Sequence, residues 1–267
     1  MSNNFSKEHY DYLNRINNKK RKILITQLGV LIFFLLLWEV SAQLGWIDTF
    51  LTSSPSEIWK LFINYLINGQ LYYHVGISLF ETMVGFVLGT LLGIIIAIGL
   101  WWSDFWAKVL DPYMVILNAL PKTALAPIFI ILFGAGYKGI IATAISVSLV
   151  VTILNMFISY KSVDEDKLRL LETFGASKMQ ILRKVIIPSS VPDLISTLKV
   201  NIGLSWVGVI VGEFLVSKAG LGYLIVYGMQ VFKLDLVMMN VAVLGFLSAI
   251  MYKIIAFIEG KFTKWQR

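Results

Sequence analysis

The side chains able to carry chemistry are few. The chain has two histidines, His9 and His74, and no cysteine, so disulfides and thiolate metal sites are excluded and a histidine-built metal centre is not expected. Glu39 and Glu213 sit inside or at the ends of long apolar runs, each isolated in sequence. An ionisable group in such a run is a functional candidate by default, although one near the end of a run also reaches water. No pair of carboxylates and no nucleophile–base set stands out. Gly134-Ala135-Gly136-Tyr137-Lys138-Gly139 has the spacing of a dinucleotide loop. That loop needs a preceding strand and a βαβ unit. Here it joins two apolar runs, where a tight turn accounts for the glycines. Gly260-Lys261 lacks the earlier glycine and the following Ser or Thr of a phosphate loop. The chain is therefore expected to hold no nucleotide, cofactor or metal, and to have no catalytic centre.

The elements that would position these residues are membrane helices. Of 267 residues, 57% are hydrophobic and 15% charged, with a mean hydropathy of +0.76; a soluble domain carries about 25% charged residues. Six runs approach or exceed the about 20 residues that a span needs: 23–44, 75–102, 111–133, 137–160, 191–216 and 235–258. The predicted fold is all-α and polytopic, with a tail at 1–22, a membrane domain at 23–258 and a tail at 259–267. The first run follows Lys19-Lys20-Arg21-Lys22 and precedes Val40-Ser41-Ala42, which also suits a secretory signal. It exceeds the about 7–15 apolar residues of a signal, and is read as a retained span.

The net charge of +7 is read as membrane topology rather than nucleic-acid binding. Sixteen Lys and Arg residues fall on the side of both tails and of segment 160–189, against four on the other side. The positive-inside rule then puts both termini and that segment in the cytoplasm. On the other side, Ser54-Pro55 starts a short helix whose apolar residues run from Ile58 to Leu66 and which Gly69 ends. It is expected to lie in the membrane interface, a re-entrant piece being the alternative. Gly85, Gly89, Gly93 and Ala97 recur every four residues in the second span, and Gly208 and Gly212 in the fifth, a spacing for close helix contact in lipid.

The polar segment 160–189 is the anomaly in this chain. Asp164, Glu165, Asp166 and Lys167 open it, and Leu168, Leu170, Leu171 and Phe174 give an apolar face to a short helix. Gly175 is the residue best suited to end that helix in a left-handed conformation. Ser177 and Gln180 then form a capping box for a second helix, which Pro188 stops. The result is a compact knob. It suits either an interfacial loop held to anionic membrane lipid or a docking element for another protein.

Gly175, nine residues, then Val185-Ile186-Ile187-Pro188 resembles the cytoplasmic loop of ABC-importer permeases, EAA-x3-G-x9-I-x-L-P. Trp38-Glu39, Ser54-Pro55-Ser56, the second-span glycines, Leu120-Pro121-Lys122, Ala126-Pro127, Phe133-Gly134 and Glu213 with Gly220-Leu221-Gly222-Tyr223 extend the likeness to the nitrate/sulfonate/taurine branch. Arg169-Leu170-Leu171 stands where the motif has Glu-Ala-Ala, which leaves open whether Glu172 takes over the motif's acidic contact.

The resemblance implies a type I ABC-importer permease fold in a prokaryotic cell membrane. It implies a second copy of the chain, two ATP-binding subunits and an extracellular binding protein as partners, with ATP and Mg held by the ATP-binding partner. Arg169, Leu170, Leu171, Glu172, Thr173, Phe174, Gly175, Ala176 and Ser177 would form the ATPase contact. Asn118, Pro121 and Lys122 of span three, with Asn201, Ser205 and Glu213 of span five, would line the path. Lys122 and the branch favour a small sulfonate-type anion; a thiamine-precursor pyrimidine or riboflavin is the alternative. Tyr and Trp are too dispersed to mark an aromatic cage, and no internal repeat supports a stand-alone secondary transporter.

Overall fold

A computed structural model describes residues 7–262. Lys264 and Arg267 of the expected C-terminal tail lie outside the described residues. The described chain is helical: α1 (Lys7–Gln43), α2 (Thr49–Thr52), α3 (Pro55–Ile67), α4 (Gln70–Trp102), α5 (Asp104–Ala119), α6 (Ala126–Phe133), α7 (Tyr137–Lys161), α8 (Glu165–Thr173), α9 (Lys178–Ile181), α10 (Ile187–Ser189), α11 (Val191–Val216), α12 (Leu221–Gln230) and α13 (Leu234–Phe262). Among the described residues, five helices are long and apolar enough to span a membrane: α1, α4, α7, α11 and α13.

The third predicted span is broken. α5 and the stretch from Lys122 to Phe133 meet at 93°. Leu120 precedes a proline and adopts extended backbone (ψ 137°), as the Pro121 ring demands. A 3₁₀ turn, Lys122–Leu125, follows before α6 begins. α6 then folds back on α7 through Gly134 and Gly136, with φ of 90° and 140°, so the dinucleotide-like glycines do make a turn. A Cβ on Gly139 would stand 2.6 Å from the Gly134 carbonyl oxygen, so the last glycine serves close packing.

The centre is a seam of small residues. Gly85, Gly89 and Gly93 of α4 face Ala144, Ser148 and Thr152 of α7, matching one four-residue row with another. A Cβ on Gly85 would lie 2.6 Å from that of Ala144, and one on Gly93 2.5 Å from that of Thr152. Ala144 is pinched from the other side by Gly208 of α11, and Ile140 by Gly212. Backbones this close gain dispersion contacts, which drive helix association where lipid is as apolar as the protein.

α3 forms as the predicted short helix. Ser54 caps it, accepting from the Glu57 N–H at 3.3 Å, and Gly69 follows it at φ 73°. Its apolar face, Ile58, Leu61, Phe62, Tyr65 and Leu66, packs on the cluster of Leu71, Leu236 and Met239. Glu39 of α1 reaches its first turn and accepts the Ser56 N–H at 2.9 Å. The isolated acid of the sequence is thus a tertiary helix cap, with negative charge at the positive end of the helix.

Candidate functional site

The segment after α7 folds as the predicted knob. Asp164 caps α8 by accepting the Asp166 N–H at 3.0 Å. At the other end the N–H of Gly175 (φ 73°) donates to Glu172 O at 2.9 Å and Ala176 N–H to Leu171 O at 3.0 Å, a Schellman motif whose Leu171 and Ala176 pack on the same apolar cluster. The capping box forms as expected: Ser177 N–H donates to Gln180 Oε1 at 2.7 Å, and Gln180 N–H to Ser177 Oγ at 3.4 Å.

Two expectations for the knob need correction. Pro188 does not stop the second helix. A π-turn, Leu182–Ile186, absorbs the strain, and Ile187 N–H donates to Leu182 O. The Ser189 and Ser190 hydroxyls donate to the Val185 and Ile186 carbonyls beside the imino nitrogen, so the helix passes Pro188 and reaches Ser189. The apolar face of α8 is also divided. Leu168 and Leu171 pack with Val163 and Ala176 on Tyr160, Ile181, Leu182 and Ile186. Leu170 and Phe174 stay outside, with Phe174 77% exposed. Arg169, at the motif's Glu position, pairs with Glu165 at 3.3 Å, while Glu172, Thr173 and Ser177 are exposed.

The knob is bolted to the bundle. Lys178 Nζ donates to the Trp102 carbonyl at 2.5 Å and lies 5.5 Å from the centroids of both the Trp101 and Trp102 rings. Lys161 pairs with Asp104, at the start of α5, at 2.5 Å.

Gly175→Val is expected to loosen the knob without any clash, because a Cβ there meets nothing within 4 Å. The left-handed backbone alone costs a branched residue about 1–2 kcal/mol or more. Gly175→Asn, which tolerates that conformation, should lose less. The measurement is pull-down of an ATPase partner by each variant; equal binding by all three chains would remove the role of the turn.

The candidate path residues fall into two separate places. Asn118 and Pro121 are exposed at the break in the third span, and Lys122 is half-buried there, folding back so that Nζ donates to Asn118 O at 3.0 Å. That contact satisfies a helix C-terminal carbonyl with a cation. Asn201, Ser205 and Glu213 lie inside the protomer, each at most 1% exposed. Asn201 Nδ2 donates to Thr90 at 2.9 Å and to Thr152 at 2.7 Å, joining α11 to α4 and α7. The structure does not bring these three to one surface with Lys122.

Two clusters were missed from sequence. Glu213 is not isolated: Glu81 of α4, one turn from the Ser78 that bonds Glu213, lies beside it, and both residues are buried. The legible signal was depth, since each lies about six turns from the knob end of its own antiparallel helix. The dispersed tyrosines also converge. Tyr65, Tyr73, His74, Tyr223 and Tyr227 surround a cavity of about 560 Å³ at the end of the bundle away from the knob. The His74 ring lies parallel to that of Tyr223 at 6.0 Å, and Tyr223 to Tyr227 at 6.1 Å.

With this geometry in place, known proteins give it a family. Residues 89–264 match the family model for the binding-protein-dependent transport system inner membrane component. SsuC of Bacillus subtilis, named for aliphatic sulfonate transport, is 26% identical over 86% of this chain and 83% of its own. The formylaminopyrimidine transport permease ThiX of Halalkalibacterium halodurans is 27% identical over 88% and 95%. The taurine transport permease TauC of Escherichia coli is 23% identical over 89% and 88%. Among solved structures, a bacterial alginate ABC transporter in complex with its pentasaccharide-bound periplasmic protein superposes with a TM-score of 0.63 at 12% identity, covering 93% of this chain and 97% of that one. The inward-facing methionine transporter MetNI gives 0.59 at 16%, covering 75% and 98%. This chain belongs to the binding-protein-dependent transport system inner membrane components and is an ABC importer permease, similar to the sulfonate and taurine permeases.

Proposed function

We propose that this chain is the translocation subunit of an ATP-driven importer, itself without catalysis, and that two copies form the path. Both termini and the knob face the cytoplasm in this reading, supported by the Lys and Arg asymmetry. A binding protein delivers solute at the opposite end, and two ATP-binding subunits, holding ATP and Mg, dock on the knobs. The observation that carries the proposal is Phe174. It is a large apolar side chain, 77% exposed beside the exposed Leu170, on a knob whose remaining α8 apolar residues are packed and whose ends are capped, as suits a docking residue. The packing suggests how a push there travels. α8 rests on Tyr160 at the end of α7 and on Ile181, Leu182 and Ile186 leading into α11. Closure of the ATPase pair would move both helices as levers, with the Lys161–Asp104 pair passing motion to α5.

The proposed solute is a small sulfonate-type anion, in line with the names of SsuC and TauC and with Lys122 at the break of span three. A second reading, a planar heterocycle as in the name of ThiX, is favoured by the tyrosine–histidine cavity, whose stacked rings suit a flat ligand. The test is ATPase stimulation in the reconstituted complex with its own binding protein, across alkanesulfonates, taurine, nitrate, pyrimidine precursors and riboflavin. Stimulation by alkanesulfonates or taurine is expected. Stimulation by heterocycles alone would replace the sulfonate reading with the second one.

A further inference from the structure

Glu81 and Glu213 are 3% and 1% exposed. Among the described residues, no Lys or Arg pairs with either. The groups that face them are Ser78 from α4 and the first N–H groups of α12; His74 lies one turn further along α4. Two bare carboxylates side by side in the protein interior without a cation have no means of meeting the cost of leaving water, so the pair must keep a proton.

The partners show where the charge sits. Glu213 accepts from the Ser78 hydroxyl at 2.5 Å and from the Gly222 N–H at 2.5 Å. It therefore occupies the positive end of α12, where a negative charge is stabilised. Oε2 of Glu81 has no hydrogen-bond partner. Ser78 in turn accepts the Leu221 N–H at 2.8 Å, and His74 Nδ1 accepts the Gly220 N–H at 3.0 Å. α12 has no side-chain cap of its own, because its N-cap is Gly220. Its first N–H groups all end on α4 and α11. Gly220 and Gly222 wrap the carboxylate so closely that a Cβ on either would run into Glu213.

We infer that Glu81 is a positioning residue that holds one proton against Glu213, and that this one-proton pair seats α12 on α4 and α11. α12 carries Tyr223 and Tyr227, so the pair sets the shape of the tyrosine–histidine cavity. Ionising Glu81 places a second negative charge beside Glu213 and unseats the helix.

The test uses the full chain, reconstituted in lipid with its ATPase partner, and two readouts. In infrared spectra, a protonated buried carboxyl is expected in the wild-type chain and absent from Glu81→Gln. For the seat of α12, Ile225, 6% exposed, is replaced by cysteine in this naturally cysteine-free chain. Its reaction with a thiol reagent is expected to rise about tenfold or more with Glu213→Gln or Glu81→Ala, since each removes a hydrogen bond to a charged group. In the Glu81→Gln background it should stay at the wild-type level, because the amide still donates to Glu213. At alkaline pH the Ile225→Cys chain should react faster than the same cysteine in the Glu81→Gln background, which has nothing to ionise. A carboxyl signal unchanged by Glu81→Gln overturns the inference, as does equal reactivity of the two backgrounds across pH. Neither readout depends on the solute, so failure here leaves the importer reading standing.

Discussion

Phe174→Asp is expected to abolish ATP-driven uptake while the chain still reaches the membrane and folds. The residue is 77% exposed and contributes nothing to the cluster that holds the knob, which is built from Leu168, Leu171, Ala176, Tyr160 and Ile181. The folded chain therefore loses little. Docking loses much, because a carboxylate would have to shed its water in a cleft that receives a phenyl ring. A central aromatic anchor is typically worth about 2 kcal/mol or more, or roughly 30-fold in affinity. The measurements are co-purification of the ATPase and solute-stimulated hydrolysis, with Leu171→Asp as a contrast. Leu171 is packed on the knob core, so that variant should fail in folding rather than in docking alone. Normal ATPase association by Phe174→Asp would show that the knob is not the docking element.

Gly89→Leu is expected to break the bundle itself. A Cβ at Gly89 runs into the Ser148 hydroxyl, and the Ile145 backbone lies 3.4 Å away, so the new side chain has no free rotamer on that face. Overpacking of this sort typically costs about 1–3 kcal/mol, and the upper end applies where backbone rather than a flexible side chain must move. The same α4–α7 contact holds Gly85 against Ala144 and Gly93 against Thr152, so spreading it at the middle opens it on both sides. Monodisperse protein recovered in detergent should fall sharply. The milder Gly89→Ala should regain part of the loss when combined with Ser148→Gly, because the pair shares one space. Wild-type recovery of Gly89→Leu would mean that the helices do not meet along this row.

What the linear chain determined by itself lies in local rules. Caps and turns depend on residues within four or five positions, which is why Ser54, Gly175 and the Ser177–Gln180 box fell where expected. Span positions follow from hydropathy over about 20 residues, and the glycine row of α4 is a spacing visible in one helix. Tertiary structure decided which face of each helix meets which. A globular helix advertises its buried side by an apolar stripe. α4, α7 and α11 are apolar all round, since lipid and protein interior are equally apolar, so the stripe vanishes and the code is silent on facing. That silence covers Glu81 against Glu213, Asn201 turned inward to Thr90 and Thr152, and the gathering of Tyr65, Tyr73, Tyr223 and Tyr227. It also covers the division of α8, where Leu171 packs and Leu170 does not. Each depends on helix rotation and depth, and these are set only when backbones close on one another through contacts that small residues far apart in sequence, such as Gly85 with Ala144 and Gly208 with Ala144, make possible.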